Sequence, residues 1–339
     1  MKRMHRPSSA LSRHQRGAAL LLAMLTVTLV ATFSAAALWQ QWRSTEIEAA
    51  ERARLQSAWV LVGALDWSRL ILREDGRTGG ADHLAEPWAV PLAEAKLTSF
   101  LAADKNIGSD ALEGLPDAFL SGRIVDAQSR LNVRNLVDGG RAVPQAVAAF
   151  RKLFELLGLP PSQVDTLVAG LLRASPRTAT PAGAEAQPPA GGEDAPLMPQ
   201  RVQELVWLGL PAASVAAIAP HVTVLPTTGA KLNINTASAE ALFASVPKLD
   251  LAGARRLVEQ RQRRFFRTLA EANELIQSSD AQFTEGLHGV ATQYFEVLGR
   301  LRLDRTWVEE RSLLLRNGLA LSVVWRQRGA GTTDELTGP

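Results

Sequence analysis

Residues 16–39 read RGAALLLAMLTVTLVATFSAAALW, and no charged side chain occurs between Arg16 and Arg43. The run from Ala18 to Trp39 holds 22 residues. At about 1.5 Å per helical residue it spans a hydrocarbon layer of about 30 Å. Lys2, Arg3, Arg6, Arg13 and Arg16 precede it, and the first carboxylate of the chain is Glu46. By the positive-inside rule the N-terminus stays in the cytoplasm and the rest of the chain lies across the membrane. Trp39 and Trp42 stand at the far edge, where an aromatic belt is expected. The sequence predicts one transmembrane helix over residues 18–42.

Three readings of this segment remain open. A cleaved signal peptide would use Ser34-Ala35-Ala36-Ala37, although the apolar run exceeds the usual core of about 7–15 residues. A plain signal anchor is the second. The third rests on Arg16-Gly17-Ala18, which resembles a type IV prepilin leader. Cleavage would then follow Gly17, residues 1–17 would be the leader, and the apolar helix would be kept. Most pilins and pseudopilins carry glutamate at the fifth mature position, and here that position is Leu22. A carboxylate in hydrocarbon is costly unless paired. Leucine therefore suits a subunit with no neighbour above it, at a filament tip.

Beyond the membrane, residues 40–73 lack proline and contain only Gly63, and Ala58, Leu61, Leu65 and Leu72 recur at helical spacing. One long helix is predicted, stopped by Gly76, Gly79 and Gly80. The chain has 339 residues, 46% apolar and 21% charged, which describes a folded protein. Its net charge of +3 lies in the leader, so the basic balance marks targeting rather than nucleic acid. Cysteine is absent, which excludes disulfides, thiolate metal sites and cysteine nucleophiles. His5, His14, His83, His221 and His288 stand apart, without HExxH or GxSxG, so the expectation is a non-enzymatic chain with no cofactor.

A helix is predicted over Leu92–Ala103, and paired strands within Ser121–Leu136. Helices are predicted at Pro144–Leu157, at Ser162 to about Arg173 with Ser162 and Asp165 in capping-box spacing, at Arg201–Leu208 and at Pro211–Ile218. His221–Leu225 reads as a short strand, and 174–200 as a mobile loop rich in Pro, Ala, Gly and Thr. Strands follow at Tyr294–Leu298, Leu301–Leu303, Val308–Leu315 and Ala320–Arg326. Strand signals on both sides of a helical block imply an interrupted sheet.

Leu232–Arg264, LNINTASAEALFASVPKLDLAGARRLVEQRQRR, resembles a helix-hairpin-helix (a SAM-like unit). Such hairpins also occur in DNA-binding proteins, where a glycine-rich link cradles phosphate. The link here, Pro247-Lys248-Leu249-Asp250, has no glycine, and Asp250 would repel phosphate. Arg255, Arg256, Arg261, Arg263 and Arg264 could meet a nucleic-acid backbone, but read more simply as a solvated face. A structural or protein-contact role is favoured and nucleic acid is unlikely as a partner.

In their order, the leader and stalk, IVDAQSRLNVRNL (124–136), KLNINTAS (231–238) and YFEVLGRLRL with ERSLLLR and VVW resemble the K-type minor pseudopilins of type II secretion systems. The resemblance implies an α+β fold: a pilin-like transmembrane and stalk helix packed on a small antiparallel sheet, with a large inserted helical domain. It divides the chain into leader 1–17, transmembrane helix 18–42, a discontinuous pilin-like domain 43–136 and 287–328, the insertion 137–286, and a flexible tail 329–339. It further implies an inner-membrane protein, largely periplasmic, cut by prepilin peptidase after Gly17 and methylated on Ala18. The implied partners are the I- and J-type minor pseudopilins, the major pseudopilin and the inner-membrane secretion platform. Where some members bind calcium, this chain has Ala169-Gly-Leu-Leu-Arg173 and only Glu185, Glu193 and Asp194 nearby, so calcium is doubtful. A type IV pilus minor pilin and a DNA-uptake receptor are the alternatives.

Overall fold

A computed structural model describes residues 14–102, 117–175, 195–276, 281–303 and 306–332. The chain divides into two units, Met1–Trp59 and Val60–Pro339. A single helix, α1, runs His14–Thr78, and its residues 17–52 are exposed throughout. It ends at Gly79, whose φ of +62° is favourable for a residue without Cβ and whose N–H bonds Asp75 O at 3.1 Å.

In the second unit the remaining elements are β1 (Leu92–Lys96), α2 (Leu97–Ala102), β2 (Ala118–Asp126), β3 (Leu131–Asn132), β4 (Val137–Asp138), β5 (Arg141–Ala142), α3 (Pro144–Leu156) and α4 (Ser162–Ala174). They continue with α5 (Ala212–Ile218), β6 (Val222–Thr223), β7 (Leu232–Asn233), α6 (Ala239–Ser245), α7 (Leu251–Arg263) and α8 (Leu269–Asn273). The last are β8 (His288–Gly289), β9 (Tyr294–Leu303), β10 (Thr306–Asn317) and β11 (Ala320–Thr332). Five strands form an antiparallel sheet in the order β1-β2-β9-β10-β11. Leu61, Leu65, Ser68 and Leu72, one stripe of α1, are buried, the leucines against Leu120, Ile124, Phe295, Val297, Leu301 and Leu314 of the sheet. Gly122 and Gly299 face each other across β2 and β9, and a Cβ on Gly299 would touch Leu61 at 3.4 Å. Bare backbone there lets the helix approach closely.

The chain leaves the sheet after Asp126 and returns at Tyr294. Between them lies a separate core, built on Phe150, Leu153 and Phe154 of α3, Leu167 and Leu171 of α4, Leu242 of α6 and Leu257 of α7. The mixed architecture and the inserted helical block agree with the sequence reading.

Several local expectations are corrected. Leu92–Lys96 is a strand rather than the start of a helix, because its backbone pairs with β2, and only Leu97–Ala102 is helical. Leu131-Asn132 does not pair with Ile124-Val125. It makes a parallel ladder with Val222-Thr223, so Leu131–Leu136, expected in the sheet domain, packs in the insertion's core. Ser162 caps nothing: Pro161 is the N-cap, and Asp165 instead meets Arg151 at 2.6 Å. The helix expected at Arg201–Leu208 is present as a 3-10 helix over Val202–Leu208. Strand β11 reaches Thr332, past the expected start of the tail at 329. Leader residues 1–13 and loop residues 176–194 lie outside the described residues.

Gly170 tests the packing of α4. A Cβ there would lie 2.8 Å from Leu208 Cβ and 2.9 Å from Leu208 O. Gly170→Ala gains about 1 kcal/mol of helix propensity, against a typical overpacking loss of about 1–3 kcal/mol. With backbone as the obstacle, the expected result is a net loss of about 1 kcal/mol or more in denaturant unfolding.

Candidate functional site

Gly17, Ala18 and Leu22 all lie within α1, and the helix begins before them, at His14. A Cβ on Gly17 would meet nothing within 4 Å, so no packing within the chain requires glycine there. Leu22 is 64% exposed, like its neighbours Leu20 (64%) and Leu21 (70%). The threonine hydroxyls inside the apolar run turn back onto the helix: Thr26 Oγ1 donates to Ala23 O (2.9 Å), Thr28 to Met24 O (3.0 Å) and Thr32 to Leu29 O (2.8 Å). These three threonines thus present no free hydroxyl to hydrocarbon. Arg43 lies over the Trp39 ring at 5.6 Å. This is the one helix among the described residues that is long and apolar enough to cross a membrane.

The second unit is organised by a buried polar seam. The Asp126 carboxylate, at the end of β2, is 1% exposed. Its Oδ1 accepts from Gln128 N at 2.7 Å. Its Oδ2 accepts from Asn233 Nδ2 at 2.8 Å and Thr236 Oγ1 at 2.6 Å. Asn233 Nδ2 also donates to Asp82 O at 3.0 Å. Asn235 clamps the end of the hairpin at two points, donating to Phe266 O (2.8 Å) and accepting from Phe266 N (2.9 Å). Gln128 donates to Lys231 O and accepts from Gln293 N, both at 2.7 Å. Asn132 and Asn135 hold the strap before β7 through Thr227 O and Ala230 O, each at 2.8 Å. The two motifs of the sequence reading are thus two sides of one joint. Burial pushes the Asp126 pKa up, while the bonds from Thr236, Asn233 and Gln128 oppose it.

Sequence reasoning missed a neighbouring cluster in which Asp75, Asp82 and Glu86 bring carboxylate oxygens within 4.8 Å of one another. The Arg316 guanidinium bonds Asp75, reaches Asp82 at 2.5 Å and donates to Thr292 O at 3.0 Å. Asp82 also accepts from Thr292 N at 2.6 Å. Glu86 accepts from His83 N and from Trp88 Nε1, both at 2.8 Å. Arg316 thus pairs with two of the three carboxylates, and calcium takes six to eight oxygens. Glu185, Glu193 and Asp194 lie outside the described residues. Burial raises the Asp82 pKa to about 6 and that of Glu86 to about 7. His288, far from these in sequence, is a core residue: its ring bonds Ser245 Oγ (3.1 Å) and Thr284 N (3.1 Å), and burial lowers its pKa to about 4.

At the hairpin, Asp250 Oδ1 accepts from Gly253 N at 2.6 Å, so a carboxylate already occupies the α7 N-terminus where a phosphate would need to sit. Arg255, Arg256, Arg263 and Arg264 are exposed, and Arg261 turns inward onto Ile234 O at 2.6 Å.

Two predictions test the seam and its neighbour. Asn233→Ala should destabilise the fold by about 2–3 kcal/mol, the scale of a hydrogen bond to a buried charged group, in denaturant unfolding. The second concerns pH. Raised carboxylates bind protons more tightly folded than unfolded, so their contribution is complete at low pH and is lost as pH rises. For Glu86 that window runs from 4.5 to about 7. His288 acts in the opposite sense, losing its contribution as pH falls from 6.5 through about 4. Glu86→Gln should therefore lose less thermal stability than the wild type across the Glu86 window; parallel profiles would refute this.

Two family models described as type II secretion system (T2SS), protein K match residues 129–227 and 232–291. The relative of that name from Pseudomonas aeruginosa is 28% identical, over 94% of this chain and 94% of the relative. The one from Klebsiella pneumoniae is 27% identical, over 94% of this chain and 98% of the relative. A chain in the crystal structure of the GspK–GspI–GspJ complex from the enterotoxigenic Escherichia coli type 2 secretion system shares the fold, with a TM-score of 0.60 at 20% identity, over 83% of this chain and 98% of that one. Over these two stretches, in this order, and along 94% of its length against the named relatives, the chain is similar to the type II secretion system protein K family.

Proposed function

We propose that this chain is the minor pseudopilin that forms and caps the tip of a type II secretion pseudopilus, supporting export of folded proteins across the outer membrane. The observation that carries the reading is the exposed apolar start of α1, which has no internal partner and begins beside Gly17-Ala18 with leucine at position 22. Prepilin peptidase would cut after Gly17, and Ala18 would carry the methylated amine. The basic residues ahead of Arg16 favour a cytoplasmic N-terminus, an inner-membrane helix and a periplasmic bulk. Leu22 removes the carboxylate that a filament subunit pairs with a neighbour above, which suits the uppermost position.

The relative in the Escherichia coli crystal structure is found with GspI and GspJ, and I- and J-type minor pseudopilins are the partners proposed here, with the major pseudopilin and the secretion platform beyond them. The protein would act structurally and turn over no substrate. A DNA-uptake role is disfavoured by Asp250 capping the α7 N-terminus. Duplex binding by the purified protein with steep salt dependence would reverse that ranking.

N-terminal mass spectrometry of the mature chain should find methylated Ala18. Replacing Gly17 by a bulkier residue should leave an uncut precursor and stop secretion. Normal processing of that variant would overturn the reading.

A further inference from the structure

Helix ends leave their last carbonyls without partners inside the helix. At the end of α6 three such oxygens converge. Phe243 O lies in its last turn and Val246 is the C-cap. The chain then turns through Lys248, whose φ of +59° is the one positive value at a non-glycine among the described residues, and Leu249 O faces the same point. All three accept from one group, the Lys152 ammonium of α3, at 2.6 Å (Phe243), 2.8 Å (Val246) and 2.8 Å (Leu249). The Phe243 ring completes the enclosure, its centroid 4.0 Å from Nζ.

Lys152 has no ion pair among the described residues; burial lowers its pKa, and the nearby Asp250 opposes that only in part. An ammonium has three N–H donors and no acceptor, so three carbonyls use it completely. Neutral oxygens at these distances, with a π face and no carboxylate in contact, match a monovalent cation of ammonium or potassium size. Hard divalent cations call for charged oxygen ligands and more of them.

We propose that the link of the α6–α7 hairpin is a monovalent-cation site which this chain fills with its own Lys152 side chain. The built-in cation joins α3 to the hairpin and makes that joint independent of the ions around it. Truncating the side chain would empty the cage without altering the carbonyls that form it.

The test is thermal unfolding of the full-length chain in detergent, as wild type, Lys152→Ala and Lys152→Met. Each is measured in potassium, ammonium and tetramethylammonium chloride at equal ionic strength. The wild type should melt at one temperature in all three salts. Lys152→Ala should melt lower by roughly 4 °C in tetramethylammonium and recover part of that loss in potassium and ammonium. Lys152→Met, whose stem still fills the cage, should be lowered without recovery. A Lys152→Ala chain that melts alike in all three salts, or is unfolded in all of them, overturns the proposal. So does equal recovery in Lys152→Met, which marks a general salt effect.

Discussion

The second unit depends on the placement of one carboxylate. Asp126 ends β2, the last strand before the insertion, and is buried. A buried carboxylate without hydrogen bonds costs several kcal/mol, so its position is tolerated only where donors meet it. Those donors, Asn233 and Thr236, arrive from 107 and 110 residues further along the chain. Apolar contact alone would allow the helical block to slide on the sheet with modest loss. The Asp126 acceptors accept one docking, because any shift leaves an ion in a dry place.

The same logic recurs with the sign reversed. Several internal cations point at main-chain carbonyls: Lys152 at the hairpin link, Arg261 at Ile234 O, Arg316 at Thr292 O and Arg69 at Leu321 O. Ile234 O, Thr292 O and the link oxygens of Val246 and Leu249 lie outside regular elements, and Leu321 O belongs to the edge strand β11. Arg316 does this while offsetting Asp75 and Asp82. A chain without cysteine has no covalent cross-link for holding an insertion in place. Charged side chains on backbone groups perform that task, since charge-assisted bonds are roughly twice as strong as neutral ones.

What was legible in the sequence was what depends on neighbours along the chain. The apolar run, the α3 and α7 periodicity, the hairpin and the closing strands were all readable from spacing. LAEAK was not: its residues favour a helix, and only pairing with Phe119, Leu120 and Gly122 makes it a strand. The ladder between Leu131-Asn132 and Val222-Thr223 joins distant segments, and no local pattern announces it. Of the joint, the asparagine-rich LNVRN and LNIN stand out as motifs, but nothing local to either announces that they meet. Asp75, Asp82, Glu86 and Arg316 carry no local signature, because Arg316 meets its two aspartates across 241 and 234 residues.

The two units satisfy their polar groups by different means, and this bears on where assembly must occur. From residue 60 onward, the buried carboxylates Asp126 and Asp82 meet donors within the chain. The apolar start of α1 turns its threonine hydroxyls back onto its own backbone, yet leaves Leu20, Leu21, Leu22, Met24, Leu25, Val27 and Phe33 each more than half exposed. Water is a poor solvent for that surface, and lipid accepts it without choosing a partner. Specific association along this helix has therefore to come from close packing and from polar groups, and residues 18–25, AALLLAML, supply none of the latter.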